Sequence, residues 1–401
     1  MRYPALHNKY FRYYLFGMSL SLHAVWITRL VLGWIAWETT GSAAYVGLLS
    51  FCLFAPSLIA TPLFGVLLDR IEPIKPAFIS QLTQSLMTLV IFILYTTDNL
   101  SILILSFVAF VIGVANSAYG STRQTIVPRI VEKQAISNAV AFNAMNFQVA
   151  RLIAPAVGGL MIAAYGTDVT ILINSLLFIP ALITISLLKL RPKENTVPDR
   201  KPFLSELLDG AKFVVKHPII RECMMMTFIA SVIIRGSLEL LPVLADGVFE
   251  RGAQGLGQIL AAAGGGALLS SILVASRKKV ITTDGVTSIS RLSLICGLAG
   301  ISLLGIIDNW VLAIIMVSII GFFVTIVAID NQSTVQMQVT DSIRGRVGSL
   351  WLVVAIGGSA IGSIFLGLLS DAFDISSTLF FAGLIGILIV STIKLADKYI
   401  R

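Results

Sequence analysis

The segment 189–222, KLRPKENTVPDRKPFLSELLDGAKFVVKHPIIRE, is the longest polar interruption of this chain and lies near the midpoint of its 401 residues. Its first part combines prolines with charged residues, a composition typical of a solvated linker. In its second part apolar residues recur at helical spacing, which predicts a short amphipathic helix at a membrane surface. The linker 191–222 therefore separates an N-terminal half, 1–190, from a C-terminal half, 223–401.

Long apolar runs fill both halves. Hydrophobic residues make up 56% of the chain and charged residues only 12%, about half the charged fraction of a typical soluble protein. Runs of about 20 apolar residues can cross a hydrocarbon core about 30 Å thick. We therefore predict an all-α membrane protein with twelve transmembrane helices, rather than a very apolar soluble helical protein. The predicted spans are 11–37, 45–68, 77–95, 100–118, 139–164, 169–188, 223–245, 256–275, 286–307, 311–329, 347–369 and 379–395.

The two halves resemble each other weakly. The fourth and tenth spans are each followed by a polar exit, a short helical segment and a basic pair before a glycine-rich span. Two pseudo-symmetric six-helix halves are the construction of many secondary transporters, in which the substrate path lies between the halves.

Basic residues concentrate on one face of the predicted bundle. Twelve spans place both termini on one side, and nearly all loop lysines and arginines fall on that side, whereas the opposite face keeps only Arg251. By the positive-inside rule, both termini and the linker are predicted to be cytoplasmic, in a bacterial inner membrane. The net charge of +8 then reflects topology and contact with anionic lipids, and we expect no binding to nucleic acid.

Motifs for enzymatic or ATP-driven chemistry are missing from the sequence. It has no GxxxxGK[ST] loop, no HExxH and no GxSxG, and its three cysteines have unrelated spacings. The predicted loops are too short to hold a catalytic constellation. We expect no enzymatic activity, no cofactor and no metal.

The segment GVLLDR, residues 65–70, ends the second predicted span and resembles the GxLaDRxGRR loop of the major facilitator superfamily. The later arginine pair of that loop is absent, and Lys75 is the remaining base. The resemblance implies that Gly65 lets helices approach closely, and that Asp69 and Arg70 close the cytoplasmic side against the start of the eleventh span, near Arg344 and Arg346. Charge that only sets topology is the alternative.

The fifth predicted span contains RLIAPAVGG, which resembles the GPxxGG element of exporters and antiporters of this superfamily. The resemblance implies a bend at Pro155 against which a partner helix packs on Gly158 and Gly159, and it favours export. An ordinary kink without directional meaning is the alternative. Three further stretches, residues 40–42 with Gly47, residues 143–155 and residues 344–346, resemble the branch that includes the bacterial enterobactin exporter and macrolide efflux pumps. The arginine of many proton antiporters in the fourth span is replaced by Ala109.

Ionisable residues inside predicted spans are candidates for the substrate or proton pathway, because burying them is costly. Glu239 is the strongest proton-carrier candidate, since burial disfavours its charged form. Arg235 lies four residues before it on one helix face, and a static ion pair is the alternative. The candidates for the substrate and proton pathway are His23, Arg29, Arg151, Arg235, Glu239 and Asp330.

The sequence therefore predicts a monomeric secondary transporter of the major facilitator fold that works by alternating access. The expected reaction is proton-coupled export of a small amphipathic organic compound, a drug or a siderophore. The four basic candidates favour a substrate with acidic groups. The alternatives are a proton symporter for an anionic metabolite, a lysolipid flippase, and, outside transport, a membrane enzyme or a non-transporting assembly factor.

Overall fold

The computed structural model describes residues 4–192, 203–276 and 288–400 of the chain. About 90% of the structure is helical, and the described ranges contain no β-strand. The all-α prediction is thereby confirmed. The first part of the predicted linker, 193–202, lies outside the described residues.

Six described α-helices precede the linker, and turn-forming residues explain where several of them begin and end. Gly41 takes a left-handed conformation (φ 61°) directly after the first helix, as is common for the residue that follows a helix. Ser101 caps the fourth helix by accepting a hydrogen bond from the Ile104 amide. The helices are α1 (Lys9–Thr40), α2 (Ala43–Arg70), α3 (Ile74–Thr96), α4 (Ile102–Ile130), α5 (Ile136–Leu176) and α6 (Ile179–Ser186).

Nine described α-helices follow, and π-helical turns interrupt two of the membrane segments among them. The π segments are Ala230–Arg235, Val243–Val248 and Val353–Gly357. The predicted amphipathic stretch of the linker forms α7. The helices are α7 (Phe203–Lys216), α8 (Pro218–Ile229), α9 (Gly236–Glu239), α10 (Gly252–Ser276), α11 (Ser288–Leu304), α12 (Trp310–Gln338), α13 (Asp341–Leu352), α14 (Gly358–Phe373) and α15 (Ile375–Ile400).

The number of membrane-crossing helices agrees with the prediction once merged and short helices are counted. Nine helices of the described ranges are long and apolar enough to span a membrane, and the bent pair Gly210–Lys216 with Pro218–Glu239 makes ten. The run Lys133–Ser186 contains two predicted spans, because α5 continues through a break at Gly166, whose φ is 88°. The apolar α11, with 17 residues, corresponds to the ninth predicted span. Together these make twelve.

The chain divides into two compact units. The first comprises Met1–Ile35 and Cys52–Arg200, and the second comprises Ala36–Phe51 and Lys201–Arg401. The turn between α1 and α2, with the adjoining ends of both helices, therefore belongs to the second unit, although most of both helices belongs to the first.

Each unit contains buried polar side chains that connect its helices. In the first unit, Ser21 donates to Gln81 at 2.8 Å and Asn174 donates to Thr28 at 2.7 Å. In the second unit, the buried Asn331 accepts a hydrogen bond from Ser290 at 2.7 Å. Hydrogen bonds of this kind join helices in an apolar medium, where hydrophobic association between helices contributes little.

Glycines allow close helix crossings within each unit. A Cβ at Gly266 of α10 would overlap the carbonyl oxygen of Ser318 in α12, and one at Gly321 of α12 would overlap the carbonyl oxygen of Ala263 in α10. In the first unit, a Cβ at Gly113 would overlap the carbonyl oxygen of Leu53. Small residues let backbones approach in this way in membrane proteins.

Candidate functional site

Glu239 ends the short helix α9, which lies between two π-helical segments of the second unit. Glu239 is only 8% exposed, and its Oε2 accepts a hydrogen bond from the hydroxyl of Ser50 at 3.2 Å. A π-helical turn inserts an extra residue into a helix and is frequent at functional sites. The proton-carrier role that the sequence predicted for Glu239 stays a prediction.

Arg235 is the last residue of the first π segment and is half-buried. Glu239 has a further interaction besides its hydrogen bond to Ser50, and Arg235 also has an interaction partner. Arg235 directly precedes α9 and Glu239 ends it, so the two residues are about one helical turn apart. Their mutual ion pair remains a prediction.

Asp371 of α14 binds the N-terminus of α2, a contact that sequence reasoning missed. Its carboxylate accepts hydrogen bonds from the Ser42 hydroxyl, from the Ala43 amide at 2.7 Å and from the Ala44 amide at 3.2 Å. A carboxylate stabilises a helix N-terminus by satisfying free amides and by opposing the helix dipole. The first turn of α2 has no acidic residue of its own. We call this contact the Asp371 cap.

A second polar contact and a cavity lie beside the Asp371 cap in the second unit. The indole nitrogen of Trp37, near the end of α1, donates to Asp246 at 2.9 Å. A cavity of about 400 Å³ is lined by Trp37, Ser42, Val243, Ser370, Asp371 and neighbouring residues. A Cβ at Gly47 of α2 would overlap the carbonyl oxygen of Ser363 in α14. The α1–α2 turn is therefore held by hydrogen bonds on two sides and by a close helix crossing.

Arginines and aromatic rings alternate within the first unit. The Arg29 guanidinium lies 5.1 Å from the centre of the Trp26 ring and 5.0 Å from that of Phe54. Arg151 lies 6.0 Å from the Trp26 ring, and its α5 thereby meets α1. These distances are within the range of cation–π attraction.

A third arginine extends this arrangement. Arg123 of α4 lies 5.6 Å from the ring of Phe147, and Phe147 contacts Trp26 edge-on with the ring centres 5.8 Å apart. We call Trp26, Arg29, Phe54, Arg123, Phe147 and Arg151 the arginine–aromatic cluster. The sequence predicted Arg29 and Arg151 but not Arg123, because an arginine near the end of a span resembles a topological charge.

Two of the predicted pathway residues lie in polar surroundings of their own. His23 is half-buried, and its Nδ1 lies 2.7 Å from the carbonyl oxygen of Ser19, one turn earlier on α1. Asp330 is half-buried in α12. Its neighbour Asn331 is fully buried and donates to Thr227 at 3.3 Å, so it joins helices rather than facing solvent.

The predicted gating residues are described only in part. Asp69, Arg70 and Arg344 lie in helices, but their side chains are outside the described part of the structure. A Cβ at Gly65 would meet no described atom within 4 Å. The close helix approach expected at Gly65 is therefore absent among the residues that the structure describes. Arg346 is half-buried, and its carbonyl oxygen closely faces Gly210.

The glycine-rich element of α5 packs against α1. A Cβ at Gly158 would meet Ile27 at 3.3 Å, so α1 is the partner helix at this position, and the adjacent Gly159 is buried. Pro155 lies inside α5, and the non-helical backbone of α5 is at Gly166. The Gly166 break coincides with the turn predicted between the fifth and sixth spans, so the bend expected at Pro155 stays a prediction.

Comparison with known proteins gives a match over nearly the whole chain. The family model described as "Transmembrane secretion effector" matches residues 2–399. The staphyloferrin A transporter of Staphylococcus aureus is 25% identical over 398 residues, which cover 97% of this chain and 96% of that protein. The enterobactin exporter EntS of Escherichia coli is 23% identical over 355 residues, 87% of this chain and 78% of that protein.

Further similarities are at comparable or lower identity. The multidrug efflux pump Tap of Mycolicibacterium fortuitum is 22% identical over 363 residues, which cover 88% of this chain and 87% of that protein. The nucleoside transporter NupG superimposes with a TM-score of 0.74 at 13% identity, covering 98% of this chain and 100% of that one. A bacterial homologue of the lysosomal transporter Spinster gives a TM-score of 0.76 at 15% identity, covering 96% of each chain. At these identities the structural likeness concerns the fold alone.

Proposed function

The chain belongs to the transmembrane secretion effector family of the major facilitator superfamily, and from this premise we propose that it exports a small amphipathic organic compound, a drug or a siderophore, in exchange for protons. The family and the structural neighbours are transporters and not enzymes, and the chain is a multi-pass membrane protein. The names of the relatives, a siderophore transporter, a siderophore exporter and a multidrug pump, support the direction and the substrate class.

Glu239 is the proposed proton carrier, and the proposed coupling mechanism rests on its burial and on its hydrogen bond to Ser50. It is a buried carboxylate in the second unit, within hydrogen-bond reach of Ser50. Ionisable residues inside a membrane are expensive and mark ion pathways. The position of the fourth-span arginine of many proton antiporters holds Ala109, which is fully buried. Coupling in this chain must therefore use another group, and we assign it to Glu239 with Arg235 beside it.

Alternating access in this protein depends on α1 and α2. Most of both helices belongs to the first unit, while their common turn belongs to the second. The Asp371 cap and the Trp37–Asp246 hydrogen bond hold that turn. A movement of one unit against the other therefore has to bend these two helices or release the turn. We propose that release of the turn opens the outer side, and that Asp69, Arg70, Arg344 and Arg346 close the cytoplasmic side.

The membrane orientation follows from charge. We place both termini and α7 on the cytoplasmic side of a bacterial inner membrane, because nearly all loop lysines and arginines fall there. The turn between α1 and α2, with the Asp371 cap, then lies at the outer side. One chain contains both halves, so the proposed working unit is a monomer.

Proton exchange can be measured in inverted membrane vesicles with an imposed proton gradient. Lipophilic cations, macrolides and catecholate siderophores are added in turn, and the gradient is followed with a pH-sensitive dye. We expect at least one compound to dissipate the gradient with the wild type and none to do so with Glu239→Gln. Glu250→Gln is the matched control, because Glu250 is an exposed carboxylate eleven residues further along the chain, and it should respond like the wild type.

The result separates the alternatives. An equal response of wild type and Glu239→Gln would remove Glu239 from the coupling mechanism. Accumulation of a compound only under the opposite gradient would replace export by proton-driven import. If no compound binds to the purified protein or crosses the membrane, the transport proposal fails in favour of a non-transporting assembly role.

A further inference from the structure

Resting on the proposed export function, we propose that the arginine–aromatic cluster of the first unit binds the substrate and selects organic anions that carry an aromatic ring. Each residue of the cluster is partly exposed, although the Nε of Arg123 and the indole nitrogen of Trp26 are buried, so a ligand contacts the cluster from its exposed side. The proposal narrows the substrate from amphipathic compounds in general to aromatic anions, and it assigns a binding role to Arg123, Phe147 and Trp26.

The spacing of the cluster residues places rings and cations on matching helix faces. Trp26 and Arg29 are three residues apart on α1, and Phe147 and Arg151 are four residues apart on α5. Residues at these spacings lie side by side on one face of a helix. Each helix therefore contributes one ring and one guanidinium, and the contact between Trp26 and Phe147 joins the two faces. Arg123 and Phe54 complete the cluster from α4 and α2.

The three arginines lie at different distances along their own helices from the helix ends. At 1.5 Å per residue, Arg123 is about 10 Å along its helix from Ile130, the end of α4. Arg151 is about 22 Å from Ile136, the start of α5, and Arg29 is about 30 Å from Lys9, the start of α1. All three helix ends lie on the side predicted to be cytoplasmic.

The helices of the cluster supply positive charge without acidic residues. The sequence contains no Asp or Glu in the helical ranges 9–35, 52–68, 74–96, 102–130 and 136–166 of the first unit. Arg29 and Arg151 make additional contacts besides those to the rings. The charged residues of these ranges are therefore all basic, a composition that favours anions over cations.

Two buried donors of the cluster have no acceptor among the described residues. They are the Nε of Arg123 and the indole nitrogen of Trp26. Most buried donors in proteins have a partner, so an exception calls for an explanation, and a ligand acceptor is one. A guanidinium matches the geometry of a carboxylate, and aromatic rings offer faces on which a planar ligand can stack. An aromatic ring with an adjacent carboxylate satisfies both kinds of group at once.

The test compares two probes of the same shape and different charge on the purified full-length protein. Salicylate is an aromatic anion, and salicylamide is its neutral counterpart. Binding is measured by equilibrium dialysis and by quenching of tryptophan fluorescence, with Trp26→Phe to assign the quenching. A fragment of this size should bind with a Kd of about 1 mM. We expect salicylate to bind at least about tenfold more tightly than salicylamide, and citrate, an anion without a ring, to bind more weakly than salicylate.

Matched variants assign the binding to the cluster. Arg123→Gln should weaken salicylate binding about tenfold or more, while Arg123→Lys, which keeps the charge but loses the fork geometry, should weaken it less. Arg12→Gln removes one positive charge from an exposed position of α1 and should bind like the wild type. A thermal-unfolding scan of each variant identifies any that does not fold.

The outcomes either support or overturn the assignment. Equal weakening by Arg123→Gln and Arg12→Gln would mean that net charge alone attracts the probe, and tighter binding of salicylamide would exclude an anion site. The proposed function is tested separately, because Glu239→Gln should keep salicylate binding while losing proton exchange. Export of cationic drugs with no binding of salicylate would overturn this proposal and leave the transporter proposal standing.

Discussion

Asp374 shows how one side chain starts a helix in this protein. It takes a left-handed conformation (φ 74°) between α14 and α15, and its carboxylate accepts hydrogen bonds from the Ser377 amide at 2.7 Å and the Ser377 hydroxyl at 2.9 Å. With ψ at 157°, this backbone is strained for any residue other than glycine. The hydrogen bonds from the Ser377 amide and hydroxyl hold the pKa of the Asp374 carboxyl below its ordinary value of 3.8.

Replacing Asp374 by alanine should lower stability by about 1 kcal/mol from the lost cap. Because the native pKa is lowered, the carboxylate contributes fully at neutral pH, and its contribution is lost as the pH falls below its ordinary pKa and through the native one. The difference in unfolding temperature between wild type and Asp374→Ala should therefore be larger at pH 7 than at pH 3.5.

Asp98 provides the control for this prediction. It also has a positive φ, 55°, but its side chain accepts no hydrogen bond from the described residues. Asp98→Ala therefore measures the backbone cost without the cap. A difference for Asp374→Ala that does not change with pH, or one no larger than that of Asp98→Ala, would contradict the capping role.

The sequence indicated some single residues of the site and not others. Glu239, Arg29 and Arg151 are charges in apolar runs, and that contrast is visible without a structure. The pairing of Asp371 with Ser42 is not visible without a structure, because about 330 residues separate them. An acidic residue at the end of a span also resembles an ordinary loop residue. Arg123 was missed for the same reason.

At the scale of helices, the crossing of α10 and α12 gives the sharpest prediction. The glycines Gly266 and Gly321 face backbone oxygens of the opposite helix, and these atoms cannot move as a flexible side chain can. Gly321→Ala should therefore force the helices apart and destabilise the protein by about 1–3 kcal/mol, seen as a lower unfolding temperature in detergent and a lower yield of folded protein.

A glycine with open space around it is the matched control. A Cβ at Gly348 of α13 would meet nothing within 4 Å. Alanine favours a helix over glycine by about 0.5–1 kcal/mol, so Gly348→Ala should leave stability unchanged or raise it. If Gly321→Ala behaves like Gly348→Ala, the crossing of α10 and α12 is not tight.

Helices were predictable from apolar runs, but the π-helical segments within them were not. The break of α5 at Gly166 comes from one residue that takes φ 88°, and the sequence predicted a loop at that point between two spans. The π segments around Glu239, ASVIIR and VLADGV, contain no residue pattern that separates them from a regular helix. Where a helix widens by one residue per turn is decided by packing rather than by composition.

At the scale of the whole molecule, the sequence predicts the fold class well because a membrane restricts the possibilities. Backbone groups in hydrocarbon must be hydrogen-bonded within their segment, so long apolar runs become helices. The assignment of the α1–α2 turn to the second unit is not visible in the sequence, because it depends on contacts between distant segments. The movement that we propose for α1 and α2 rests on that assignment.

The last prediction concerns this movement. Ser42 and Asp371 form a hydrogen bond, and both belong to the second unit. In a background with Cys52, Cys223 and Cys296 replaced by serine, Ser42→Cys and Asp371→Cys together should form a disulfide on oxidation. The cross-linked protein should lose proton-coupled export in vesicles and regain it after reduction, because the turn can no longer leave α14. The single variants Ser42→Cys and Asp371→Cys are the controls, because neither can form this cross-link, and their export should not change on oxidation. Export that survives the Ser42–Asp371 cross-link would mean that α1 and α2 bend while their turn stays bound to the second unit.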